Sequence, residues 1–155
     1  ITEAVREIWP ENKPLFYRVS AVDNISGGIS IDDTVELAKE LKIHGVDIID
    51  CSSGGMSGPS TQPREKMKRG FQVPYSEKIK KDSGVNTMAV GLIMEAEQAE
   101  NILKNNQADL IALAREMISD SNWAFRAAKN LGLENPYDIL PDSYAFYLKV
   151  RDENL

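Results

Sequence analysis

The sequence predicts an α/β protein built on a parallel sheet. Two observations carry that reading. Four short runs rich in β-branched and apolar residues recur along the chain, and a stretch with helical spacing follows each of them. Apolar runs this short fit strands of a parallel sheet buried on both faces. Periodicity alone does not separate a doubly wound sheet from a barrel, because both are strings of βα units.

In chain order, Ala4, Val5, Ile8 and Trp9 have the spacing of a buried helical face. Leu15 to Ala21 is the first expected strand. Ser30 with Asp33 three residues later reads as a capping box, in which the hydroxyl accepts an orphan backbone N–H. The helix after it has Ile31, Val35, Ala38 and Leu41 on one face and Gly45 at its end. Val46 to Ser52 is the second strand, and Tyr75 to Lys81 a shorter helix. Thr87 to Val90 is the third strand, before a helix from Glu95 to Asn105 facing inward through Ala96, Ala99 and Leu103. Asp109 to Ala114 is the fourth strand. The last helix starts near Asp120, burying Trp123, Ala127, Ala128 and Leu131 ahead of Gly132. Between Gly54 and Pro74 lie about 20 residues without a pattern, a length that in compact domains usually marks a functional or mobile loop.

Composition narrows the function. The chain has 155 residues, 42% hydrophobic and 27% charged, enough for a real core without disulfides. Its net charge of −6 and isoelectric point near 4.9 argue against nucleic acid or an anionic membrane as partner. No apolar run is long enough to cross a bilayer, and the first residues do not resemble a signal peptide. The single cysteine, Cys51, makes a cytoplasmic location the expectation. One His and one Cys do not build a metal site of ordinary spacing. The chain opens at Ile1 and runs directly into an amphipathic stretch, so part of a longer polypeptide is expected.

In parallel α/β folds, ligands sit at the C-terminal ends of the strands. Those ends are Arg18-Val19-Ser20, Ser52-Ser53-Gly54-Gly55, Gly91 and Ala114-Arg115. Small residues at two successive strand ends let backbone N–H groups approach a phosphate, and a neighbouring cation balances its charge. Gly91, Ala114 and Arg115 have that pattern. From spacing alone the plainer reading is favoured, in which Gly91 only makes a turn and Arg115 only pairs with Glu116 or a helix end. Arg18 interrupts an apolar strand; facing inward it needs an anion or an electron-rich ring, facing outward a helix carboxylate. His44 complements a helix C-terminus, and Cys51 reads as a small core residue. Arg64, Lys66, Lys68 and Arg69 form a basic loop face around Glu65, better read as solvated than as an anion site.

The stretches PLFYRVSA, GVDIIDCSSGG, RGFQVPYSEKIK, MAVGLI and ADLIALAREMISDSNWAFRAA, in this order, resemble the second half of the old yellow enzyme family, nearest to its bacterial ene-reductases. The resemblance covers nearly the whole chain. It implies a (β/α)8 TIM barrel of which residues 1–155 form the C-terminal half, strands five to eight, with the N-terminal half absent. It implies FMN as cofactor, NAD(P)H as reductant and an α,β-unsaturated carbonyl compound as substrate. Arg18 would lie near flavin N1 and O2. Ser53 and Gly54 would line the cofactor, and Gly91, Ala114 and Arg115 would hold its phosphate. The segment PDSYAFYLKV resembles the family's C-terminal tail, making Tyr144 and Tyr147 candidates for substrate contact. Ala114 departs from the family's frequent glycine, a change that keeps the backbone donor.

The family's substrate-binding His/His or His/Asn pair and its proton-donating Tyr belong to its first half. No catalytic residue is therefore expected in this segment, and the chain alone is expected to be inactive. It would need either the missing half or a second copy to complete the barrel. Alternatives are 2-enoate, dienoyl-CoA or xenobiotic reduction on the same flavin barrel, and a non-catalytic phosphate-binding half-barrel. A Schiff-base aldolase would want a strand-end lysine, and none of the four strands has one.

Overall fold

The computed structural model describes residues 1–54 and 67–154. Arg64, Glu65 and Lys66 of the basic loop lie outside the described residues. Contacts divide the chain into two units. The first comprises Ile1–Ile93 and Asn101–Ala112, and the second Met94–Glu100 and Leu113–Leu155.

All four expected strands are present, and all belong to the first unit: β1 (Phe16–Ser20), β2 (Ile48–Ser52), β3 (Asn86–Ala89) and β4 (Leu110–Ile111). They form one parallel sheet in the order β1-β2-β3-β4. Each connection moves the chain one strand further in the same direction. A doubly wound sheet reverses its strand order at a switch point, whereas barrel winding does not. The sheet therefore has the order expected of consecutive barrel strands. The fourth strand is shorter than the sequence suggests, only two residues.

The expectation of burial on both faces needs correction. In β1 only Val19 is buried, while Phe16, Tyr17, Arg18 and Ser20 are exposed. β3 alternates, burying Thr87 and Ala89, whereas β2 buries Ile49, Asp50 and Cys51 in succession and so on both faces. Val19, Ala21, Ile49 and Cys51 join Val35, Ala38, Leu41, Val46, Ile79 and Val85 in one apolar core. Register puts Thr87 and Ala89 on that same side, and both are fully buried.

That side is covered by α2 (Ile31–Ile43) and α3 (Val73–Ser83). α2 starts where the sequence places it. Ser30 Oγ accepts from Asp33 N at 3.2 Å, and Asp33 Oδ2 accepts from Ser30 N at 2.9 Å. Ser30 Oγ also donates to Asp33 Oδ2 at 2.6 Å, and this bond, then that from Ser30 N, holds the Asp33 carboxyl below its ordinary value. Gly45 has φ +87°, a conformation that favours glycine, and a Cβ there would displace the Arg6 side chain, whose Cδ would lie 2.6 Å away. α3 takes Pro74 in its first turn and ends at Gly84 in the left-handed region.

α1 (Thr2–Ile8) forms, but it buries no residue, and Ile8 is 83% exposed. A polar anchor replaces the expected apolar face. Arg6 donates to Gly45 O at 3.0 Å and pairs with Asp47 at 3.1 Å. α4 (Ala96–Lys104) buries Ala96, Ala99 and Ile102, leaving Leu103 exposed where the sequence reading had it inward.

In the second unit, α5 (Arg115–Ser119) precedes α6 (Trp123–Asn130), a 3-10 turn (Pro136–Ile139) and α7 (Asp142–Glu153). α6 buries Phe125, Ala127 and Ala128, whereas Trp123 is half-buried and Leu131 exposed, again unlike the expectation. Asp152 of α7 ties this unit together. It accepts from Lys129 Nζ at 2.6 Å, Tyr137 OH at 2.8 Å and Arg151 Nη2 at 2.6 Å. Those bonds, that from Lys129 foremost, hold its carboxyl well below the usual range. Among the described residues no helix is long and apolar enough to cross a membrane.

Candidate functional site

The face of the sheet opposite the helices carries the chemistry. Because side chains alternate, Arg18, Asp50 and Ser52 point to one side, and register pairs Arg18 with Asp50 across the β1–β2 ladder. Arg18 Nη1 donates to Asp50 Oδ2 at 2.6 Å, and Nη2 donates to Ser52 Oγ at 3.1 Å. The sequence reading offered Arg18 an inner ligand or a helix carboxylate. The structure gives it a strand carboxylate instead, on the face away from the helices. Its side chain keeps 58% of its exposure, so N–H groups beyond those two bonds remain available. Asp50 is buried, and its Oδ1 has no hydrogen-bond partner among the described residues.

At the strand ends, Ser53 is buried, and its hydroxyl donates to Gln72 Oε1 at 2.7 Å. Gln72 Nε2 in turn donates to Val90 O at 3.2 Å, so one buried amide bridges the ends of β2 and β3. Gly91 follows directly, with φ +117°. A Cβ there would lie 2.8 Å from Gln72 Nε2 and 3.2 Å from Phe71 Cε1. The backbone conformation strains any residue but glycine here, and a Cβ would push the Gln72 amide from its place. Gly91 O accepts from Gly70 N at 2.9 Å. Gly54 also has positive φ, and its N–H is already given to Val22 O at 3.0 Å. Of the residues expected to bind cofactor, Ser53 and Gly91 thus converge on Gln72, while Arg18 pairs with Asp50 and Ser52.

Ala114 and Arg115 belong to the second unit. Ala114 immediately precedes α5, Arg115 is its first residue, and both are exposed. Tyr144 and Tyr147 lie on α7, largely exposed. With Ser121, Asn122, Leu140 and Leu148 they line a pocket of about 360 Å³.

Two residues at this site escaped the sequence reading. Asp50 was visible as a carboxylate inside the apolar run VDIIDCS, but only register shows that it faces Arg18. Gln72 sits in the unpatterned stretch before α3, where periodicity gives no signal. Two other sequence readings hold. Cys51 is fully buried, and burial, then the Asp50 charge, pushes its thiol up to about 12. His44 caps α2 and lies 2.9 Å from Glu3 Oε1.

Parallel βα units, with Arg18 on the sheet face away from the helices and Gly91 at positive φ behind β3, define an α/β protein of parallel winding. Comparison with known proteins makes this specific. Residues 1–134 match the model of the NADH:flavin oxidoreductase / NADH oxidase family, and the chain belongs to that family. It is 44% identical over 132 residues to an NADPH dehydrogenase of Geobacillus sp. (strain WCH70), covering 85% of this chain and 37% of that protein. It is 44% identical over 140 residues to an NADPH dehydrogenase of Bacillus velezensis, covering 90% and 40%. An NADPH dehydrogenase of Listeria monocytogenes (serotype 4b, strain CLIP80459) is 41% identical, with 88% and 39% covered. The chain thus spans 37–40% of the length of these curated relatives.

Proposed function

We propose that this chain supplies FMN-binding residues of an NAD(P)H-dependent oxidoreductase that reduces the C=C bond of α,β-unsaturated carbonyl compounds in the cytoplasm. The observation that carries the reading is the exposed Arg18 guanidinium, held on the sheet face by Asp50 and Ser52 with N–H groups unspent. It fits the pyrimidine edge of a flavin, which gains negative charge on reduction and is stabilised by a fixed cation. The chemistry FMN supplies when bound is hydride transfer, from NAD(P)H and onward to the β-carbon of the activated alkene.

The residues of this chain would bind and orient. Arg18 would hold the charge that develops at N1 and O2. Ser53 and Gly54 would line the cofactor, with Gln72 fixing Ser53. Gly91, Ala114 and Arg115 would receive the phosphate, and Tyr144 and Tyr147 would contact substrate. Substrate activation and proton donation are assigned to no residue of this chain.

A chimera joining the N-terminal portion of the Geobacillus relative to this chain tests the reading. Assayed with NADPH and cyclohexenone, it is expected to bind FMN and turn over. A folded, FMN-loaded chimera that consumes no enone contradicts it.

A further inference from the structure

Asp50 has an arrangement that binding alone does not require. It is a buried carboxylate on a strand whose apolar neighbours, Ile49 and Cys51, face the core. One oxygen holds Arg18 at 2.6 Å, and the other has no partner among the described residues. Burying an incompletely satisfied carboxylate is costly. An apolar residue at position 50 would avoid that cost, but it would leave the Arg18 guanidinium free to swing among its rotamers. It would also leave the full positive charge directed at whatever binds there.

We propose that Asp50 is a positioning residue for Arg18. It fixes the guanidinium on the sheet face and, by offsetting part of its charge, sets how strongly bound FMN favours the reduced state. This rests on the reading that Arg18 meets the flavin. The electrostatics are direct. A cation near N1 and O2 stabilises the anionic reduced flavin more than the neutral oxidised one. A carboxylate 2.6 Å behind that cation weakens the preference. Ser52 has a lesser part, since its hydroxyl accepts from Nη2 at 3.1 Å and carries no charge. Asp50 thus trades some stabilisation of the reduced cofactor for a fixed geometry.

The test is the midpoint potential of FMN bound to the chain, measured for wild type and for Asp50→Asn. The amide keeps the side chain's shape and an acceptor for Arg18 but removes the charge. The expected result is a higher potential, with the preference for reduced over oxidised FMN rising about tenfold, or about 30 mV for a two-electron couple. Asp50→Ala serves as a second variant should the amide fail to fold, and the same direction is expected. A merely structural role would weaken both redox states alike and leave the potential in place. An unchanged or lowered potential in a folded, FMN-loaded variant overturns the inference and leaves the flavin reading standing. Where the chain alone retains no FMN, the same comparison is made in the chimera; a wild-type chimera that binds no FMN overturns the flavin reading, and this inference with it.

Discussion

The two faces of the β1–β4 sheet are made by the same strands and have opposite characters. The helix-covered face presents Val19, Ile49, Cys51, Thr87 and Ala89, all buried. The other face presents Phe16, Arg18, Asp50, Ser52, Met88 and Leu110. Phe16, Arg18 and Leu110 are exposed, and Arg18 and Asp50 form an ion pair. A strand changes face at every residue, so one five-residue segment contributes to both the core and the site. The helix face is closed-packed and determines stability. The opposite face retains an exposed cation and a carboxylate oxygen without a partner among the described residues, features that folding alone would not select.

Substitutions sharpen this contrast, and the largest effect is expected on the helix face. Ile49→Ala removes a fully buried side chain and should cost about 2–5 kcal/mol, read as a lowered denaturation midpoint. Phe16→Ala, on the opposite face, should cost about 1 kcal/mol or less in the same measurement. Similar costs at both positions would show that the second face is also part of a closed core.

Gly91→Ala comes next. The imposed φ and the approach to Gln72 should cost about 1–3 kcal/mol, with weakened FMN retention as the accompanying sign. Ser30→Ala, which removes the cap of the helix over the core face, should lower stability by about 1 kcal/mol. The smallest effect is a null one. Cys51, buried with its thiol pushed up to about 12, should react with a maleimide at pH 8 only after unfolding. Rapid labelling of the native chain would break the description of the helix face.

Much of this was legible in the sequence where signals are local. The capping box at Ser30 and Asp33, the stop at Gly45 and the apolar runs of β1, β2 and β3 each depend on residues within a few positions. Two kinds of feature were not legible. α1 has apolar spacing but is anchored through Arg6 to Gly45 and Asp47, about forty residues away, which no helical wheel reports. Short α5 and exposed α7 bury no residue, so they lack the one-sided pattern that identifies a helix. The site divides the same way. Arg18 and Gly91 stood out by residue type and place, whereas the Asp50 partnership depends on strand register, and the Gln72 bridge on two contacts 18 and 19 residues away.

The most direct test of the central claim is an FMN titration of the chain, followed by flavin absorbance after removal of unbound cofactor, for wild type and Arg18→Ala. The expected result is a retained yellow band in wild type and affinity weakened about tenfold or more in the variant, as loss of a charged hydrogen bond implies. An Arg18→Ala protein that retains flavin as well as wild type, in the chain or in the chimera should the chain alone retain none, would contradict the claim that this sheet face is a flavin site.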